Sequence, residues 1–186
     1  MQYIKARQSA SENMETEALK VAVVMQRTPL DNRWQPYQWK PLEVTAGDLI
    51  PEGPPRCLRD DPADSRWLFT GFDVRLFSDE AEGYFLNTSS PVPCWFVMWR
   101  FEDIDGVDVA VPKEVTLSYN EAARLMDGGE QRVDTLPLPI GVLERLNAFV
   151  ADHYRPEPKK KRRKPSFEGG AAVEQMARAE GGGGGS

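Results

Sequence analysis

Residues 20–154 carry the strong apolar patterns of the chain. Val21-Ala22-Val23-Val24-Met25 is a short, mostly β-branched run, the mark of a buried strand. Pro29-Leu30-Asp31-Asn32 turns the chain, because Pro fixes φ and Asx side chains bond the local backbone. Tyr37 to Thr45 is the predicted return strand, and Pro41 inside it calls for an edge position or a bulge. Residues 46–65, rich in Pro, Asp and Gly, are expected to form a long loop, a length associated with function or motion. Further strands are expected at Trp67–Thr70 and Phe72–Phe77; in the latter, Phe72, Val74 and Leu76 alternate with Asp73 and Arg75. A charged turn over Ser78–Gly83 then leads into a strand at Tyr84–Thr88.

Cys94–Phe101 is apolar on both faces for most of its length and belongs at the centre of a sheet. Asp103–Gly106 reads as a hairpin turn, followed by Val107–Val111, an interruption at Pro112, and Val115–Leu117. The pattern then changes period. Ser118-Tyr119-Asn120-Glu121 is a capping-box string, and the helix it opens should end at Asp127-Gly128-Gly129. After a short strand near Gln131–Thr135, a second helix is predicted from Pro139 to His153, with Ile140, Leu143, Leu146, Phe149 and Val150 at helical spacing. The expected fold is α+β: a mostly antiparallel twisted sheet, or a partly closed small barrel, with two C-terminal helices and disordered tails. The expected organisation is a flexible arm over 1–19, one domain over 20–155, and a disordered basic then Gly-rich tail over 156–186. The terminal GGGGGS is read as a linker or as native low complexity.

Composition supports strands: fifteen prolines and fifteen glycines exceed what a helix bundle tolerates. The formal charge of −6 divides into −1 for residues 1–19, +4 for residues 155–186, and so −9 for residues 20–154. An acidic body repels nucleic acid over most of its surface, so a polyanion contact would have to use the tail. Cys57 and Cys94 form no C-x-x-C and are expected as two buried free thiols. With no apolar leader in its first residues and no run long enough to span a bilayer, the chain is expected to be soluble and cytoplasmic.

Candidate chemistry is sparse. The chain has one histidine, His153, which cannot assemble a metal site and suits a helix C-terminus. Asp103-Ile104-Asp105-Gly106-Val107-Asp108 lacks the spacing and closing Glu of a calcium loop. Asp60-Asp61 lies in a loop without an evident partner. The nucleophile elbow, P-loop and dinucleotide-binding strings are missing, so no catalytic residue, cofactor or metal is assigned. Two binding candidates stand out. Trp34, Tyr37 and Trp39 sit beside Arg27, Arg33 and Lys40, and Trp with Arg dominates interface hot spots, although large rings mostly pack cores. The run Lys159, Lys160, Lys161, Arg162, Arg163, Lys164 can engage a polyanion or an acidic protein, or simply solvate a tail. Arg33, Trp34, Trp39 and Lys159–Lys164 are the expected partner-contact positions.

The string Val24-Met25-Gln26-Arg27, Pro29-Leu30-Asp31-Asn32-Arg33-Trp34, then Trp39-Lys40-Pro41, resembles the opening of a bacterial family of unknown function. Members of that family are encoded beside molybdenum- or tungsten-dependent formate dehydrogenase genes. Tyr84, Leu86-Asn87, Ser89-Ser90-Pro91, Ser118-Tyr119, Glu121-Ala122 and Asp127-Gly128-Gly129-Glu130 are similar to its later blocks, over about residues 20–165. The resemblance implies a non-catalytic accessory protein in maturation, assembly or docking of a formate dehydrogenase, with dehydrogenase subunits or maturation factors as partners. The alternative reading is a nucleic-acid-binding regulator using the basic tail.

Overall fold

The computed structural model describes residues 18–126 and 131–156. Strands β1 (Leu19–Pro29), β2 (Tyr37–Ala46), β3 (Arg56–Arg59) and β4 (Ser65–Val74) form a four-stranded antiparallel sheet in the order β2-β1-β4-β3. Strands β5 (Cys94–Ile104), β6 (Val107–Thr116) and β7 (Arg132–Pro137) form a second antiparallel sheet, β6-β5-β7. Helices α1 (Ala81–Thr88), α2 (Tyr119–Met126) and α3 (Ile140–His153) complete the α+β fold. Neither sheet closes on itself, so the barrel alternative is replaced by two open sheets sharing a core.

That core joins Val21, Val23 and Met25 of β1 to Phe69 of β4, Trp95, Val97 and Trp99 of β5, and Leu146 and Phe149 of α3. The run Cys94–Phe101 does occupy a sheet centre, as its apolarity predicts, because β5 is hydrogen-bonded on both sides. On α3, Leu146 and Phe149 are buried whereas Ile140 is 71% exposed, so the helix start lies at the rim.

Both prolines inside strands sit on edges and beside bulges. Met25 pairs with Pro41 and Val24 with Glu43, which leaves Leu42 as the extra residue of edge strand β2. Trp99 pairs with Pro112 and Met98 with Glu114, which leaves Lys113 extra in edge strand β6. The predicted interruption at Pro112 is thus a bulge within one continuous strand, since an edge position tolerates a missing N–H. Likewise, Trp67–Thr70 and the start of Phe72–Phe77 are one strand, β4, bent at Gly71 with φ 91°.

Two other expectations need correction. Residues 46–65 are not all loop, because Arg56–Arg59 pairs with β4 as a short edge strand. Tyr84–Thr88 is not a strand: Ser78–Glu80 makes a 3-10 turn and the chain continues as α1. The residues α1 buries, Ala81, Gly83, Tyr84 and Asn87, lie on one helical face. Gly83 is required there, since a Cβ would stand 2.2 Å from the Ser118 hydroxyl oxygen. Strand-forming Tyr84 and Phe85 obscured this helix in the sequence.

Candidate functional site

The inner-facing rows of the two sheets continue beyond the core and open into a groove of about 420 Å³. One wall carries Arg27 of β1 with Pro36, Tyr37 and Trp39; the other carries Phe101, Gly106, Val107 and Asp108 from the β5–β6 hairpin. Along β5, burial ends between Trp99, 1% exposed, and Phe101, 46% exposed. The β5–β6 turn is tight: Asp105 (φ 53°) and Gly106 (φ 83°) are both left-handed, and the Gly106 amide donates to Asp103 Oδ1 at 3.0 Å. This is the solvated hairpin turn the sequence suggests for Asp103–Asp108.

On the opposite wall, the Leu30 amide donates to the Pro36 carbonyl at 2.8 Å, closing the β1–β2 loop. Inside the loop the Trp34 amide donates to Asn32 Oδ1 at 2.9 Å, an Asx contact that holds the tip. Trp34 is consequently displayed, 88% exposed, with Arg33 over its ring at 5.6 Å. Trp39 is 8% exposed and belongs to the core while also lining the groove. Arg27 lies 4.7 Å from the Tyr37 ring centroid and 5.9 Å from that of Trp39. Arg132 of β7 covers Trp99 at 5.2 Å and Phe101 at 5.6 Å. Lys159–Lys164 and the predicted helix end at Asp127–Gly129 lie outside the described residues.

The structure therefore separates the predicted aromatic hairpin into a displayed Trp34 and a packed Trp39. It adds Phe101, Val107 and Arg132, which were not singled out in the sequence. The alternation of Trp99 and Phe101 was the available signal, since both occupy one face of β5.

A second polar cluster joins α1 and α2. Ser118, fully buried, caps α2 by accepting from the Glu121 amide at 3.1 Å and donates to Glu80 at 2.8 Å. The Glu121 carboxylate accepts from the Thr116 hydroxyl rather than reaching back to the cap backbone. Glu80 also pairs with Arg124 at 2.6 Å. Burial first, and then the neighbouring Glu121, push the Glu114 carboxyl up. Ser118 is thus buried and bonded on both sides, a structural link between the start of α2 and the turn before α1.

Other polar groups are engaged locally. Asp64 is pulled down to about 2 by hydrogen bonds from Arg66 and Gln26, with Arg59 adding its charge. Asp61, of the Asp60-Asp61 pair, accepts from the Ala63 amide at 2.8 Å and lies 3.6 Å from Arg59. Burial pushes the Tyr84 hydroxyl up to about 12 and the Cys94 thiol above its ordinary value. Both cysteines are free, but neither is fully buried as expected: Cys57 is exposed on short edge strand β3, and Cys94 is partly exposed at the start of β5. His153 packs against Phe149 at 4.1 Å between ring centroids, with Nδ1 3.0 Å from the Phe149 carbonyl oxygen, as suits a helix end. Among the described residues, no group of three or more His, Cys, Asp or Glu side chains could hold a metal ion, and no helix is long and apolar enough to cross a membrane.

Comparison with curated proteins and with solved structures finds no match. Residues 20–163, spanning both sheets and the groove, match the model of the family described as protein of unknown function (DUF3305), and the chain belongs to that family.

Proposed function

We propose that this chain is a cytoplasmic, non-catalytic accessory protein that docks a partner through the groove between its two hairpins, in the maturation, assembly or docking of a formate dehydrogenase. The observation that carries the docking reading is the displayed Trp34 beside an open groove walled by Arg27, Tyr37, Phe101 and Val107. Trp, Tyr and Arg dominate binding energy where they can be desolvated, and this end of the molecule offers all three. The absence of a catalytic role is supported by the engagement of the polar groups: Ser118 caps a helix, Asn87 bridges strands, and Asp64 joins Arg59, Arg66 and Gln26. The formate dehydrogenase setting rests on the resemblance of the Asp31–Trp34 and Trp39–Pro41 strings.

Deleting the gene in a host that makes a formate dehydrogenase should lower that enzyme's activity, and the tagged chain should co-purify with a dehydrogenase subunit or maturation factor. Normal activity with no co-purification would end the proposal. Co-purification only of nucleic acid, lost steeply with salt and with removal of residues 159–164, would favour the regulator instead.

A further inference from the structure

We infer that the groove takes an acidic peptide segment of a partner protein, and that Arg27 pairs with its carboxylate. This rests on the docking reading above and specifies the chemistry of the partner.

The starting point is a guanidinium stacked at the groove wall. Arg27 Nε is buried and has no hydrogen-bond partner, while the guanidinium lies over the Tyr37 ring at the groove wall. That nitrogen is closed off inside the wall, so a carboxylate in the groove meets the terminal nitrogens of the guanidinium, which can donate to it in parallel. Elsewhere, Lys20, Arg59, Arg66, Arg100, Lys113 and Arg124 are in ion pairs with carboxylates. Arg27, Arg33 and Arg132 instead lie on aromatic rings, and none of them has an ion pair among the described residues. Arginines stacked in this way retain a planar edge for a carboxylate.

The other wall sets what accompanies the acid. Phe101 and Val107, both about half exposed, offer apolar surface for a neighbouring side chain. Asp108 repels a second carboxylate brought against that wall, which favours an acidic residue followed by an apolar one over a uniformly acidic run. Residues 20–154 carry a formal −9, so Arg27 supplies local selection on a body that otherwise repels acids.

The test is calorimetric titration of the full chain with short synthetic peptides alternating Leu with Glu, Gln or Lys. The Glu peptide should bind saturably and about tenfold or more tighter than the Gln and Lys peptides. Arg27→Gln should abolish that preference, and Arg27→Lys, which keeps the charge but not the planar fork, should lose most of it. Hydrogen exchange on the unaltered chain gives a check independent of variant folding: protection by the Glu peptide should fall on residues 27–39 and 99–108. Equal binding of the Gln peptide, preference for the Lys peptide, or protection elsewhere would overturn the inference. So would sodium glutamate competing as well as the peptide, or a concentration-dependent dimer that Arg27→Gln dissolves. Such results leave the docking proposal standing, because that proposal fails on dehydrogenase activity and co-purification rather than on peptide chemistry.

Discussion

Asn87 holds more of the structure than its polar side chain suggests. It is 1% exposed; Nδ2 donates to the Cys94 and Leu117 carbonyls at 2.8 Å, and Oδ1 accepts from the Cys94 amide at 2.9 Å. One side chain thus ties α1 to the start of β5 and the end of β6. Replacing it with Ala would strand several buried backbone groups, and Asn87→Ala should cost roughly 2–4 kcal/mol in denaturant unfolding. Asp64 makes a pH prediction. Its folded pKa of about 2 lies below its ordinary value, so its stabilising contribution is present above that value and lost as pH falls through about 2. Thermal melts of Asp64→Asn should therefore differ most from the unaltered chain near neutrality and converge with it in strong acid. Glu114 has the opposite sign: its raised folded pKa favours the protonated form, so stability is lost as pH rises through it. Glu114→Gln should accordingly melt higher than the unaltered chain at neutral pH, with the gain disappearing in acid.

Among the elements, α1 was least legible, and its reason is contact rather than propensity. Gly83 weakens an isolated helix, and Tyr84 with Phe85 favours a strand. The segment is helical because it packs on α2 and α3, with Tyr84 edge-on to Phe149 at 5.7 Å and Phe85 stacked on Tyr154 at 4.3 Å. Gly83→Ala weighs opposing effects: helix propensity gains about 1 kcal/mol, whereas displacing the Ser118 hydroxyl loses the α2 cap and the bond to Glu80, together about 2–4 kcal/mol. The variant should be destabilised by roughly 1–3 kcal/mol, and a higher melting temperature would refute this reading of the helix contact. The prolines illustrate a partial success. Pro41 identified an edge or bulge from its missing N–H, and both conditions hold. Pro112 misled because the same device left β6 unbroken. The α+β class followed from strong period-2 and helical patterns, whereas the division into two sheets did not, because strand pairing depends on contacts far apart in sequence.

For the whole molecule, the groove shows the same limit. Tyr37 and Trp39 were conspicuous by type, yet the wall opposite them comes from Phe101 and Val107, and only folding brings these together. Sequence could not separate Trp39, packed in the core, from Trp34, held outward by the Asn32 turn. The central claim is that the displayed end is a docking surface, and Trp34 separates it from stability. Trp34 is 88% exposed, so Trp34→Ala should change folding free energy by no more than about 0.5 kcal/mol. The most direct measurement is capture of purified formate dehydrogenase subunits and maturation factors by the tagged chain and its Trp34→Ala variant, with both melting temperatures recorded. The account predicts that the unaltered chain captures one of them and that the variant loses most of that capture at an unchanged melting temperature. Equal capture by the two proteins would contradict it.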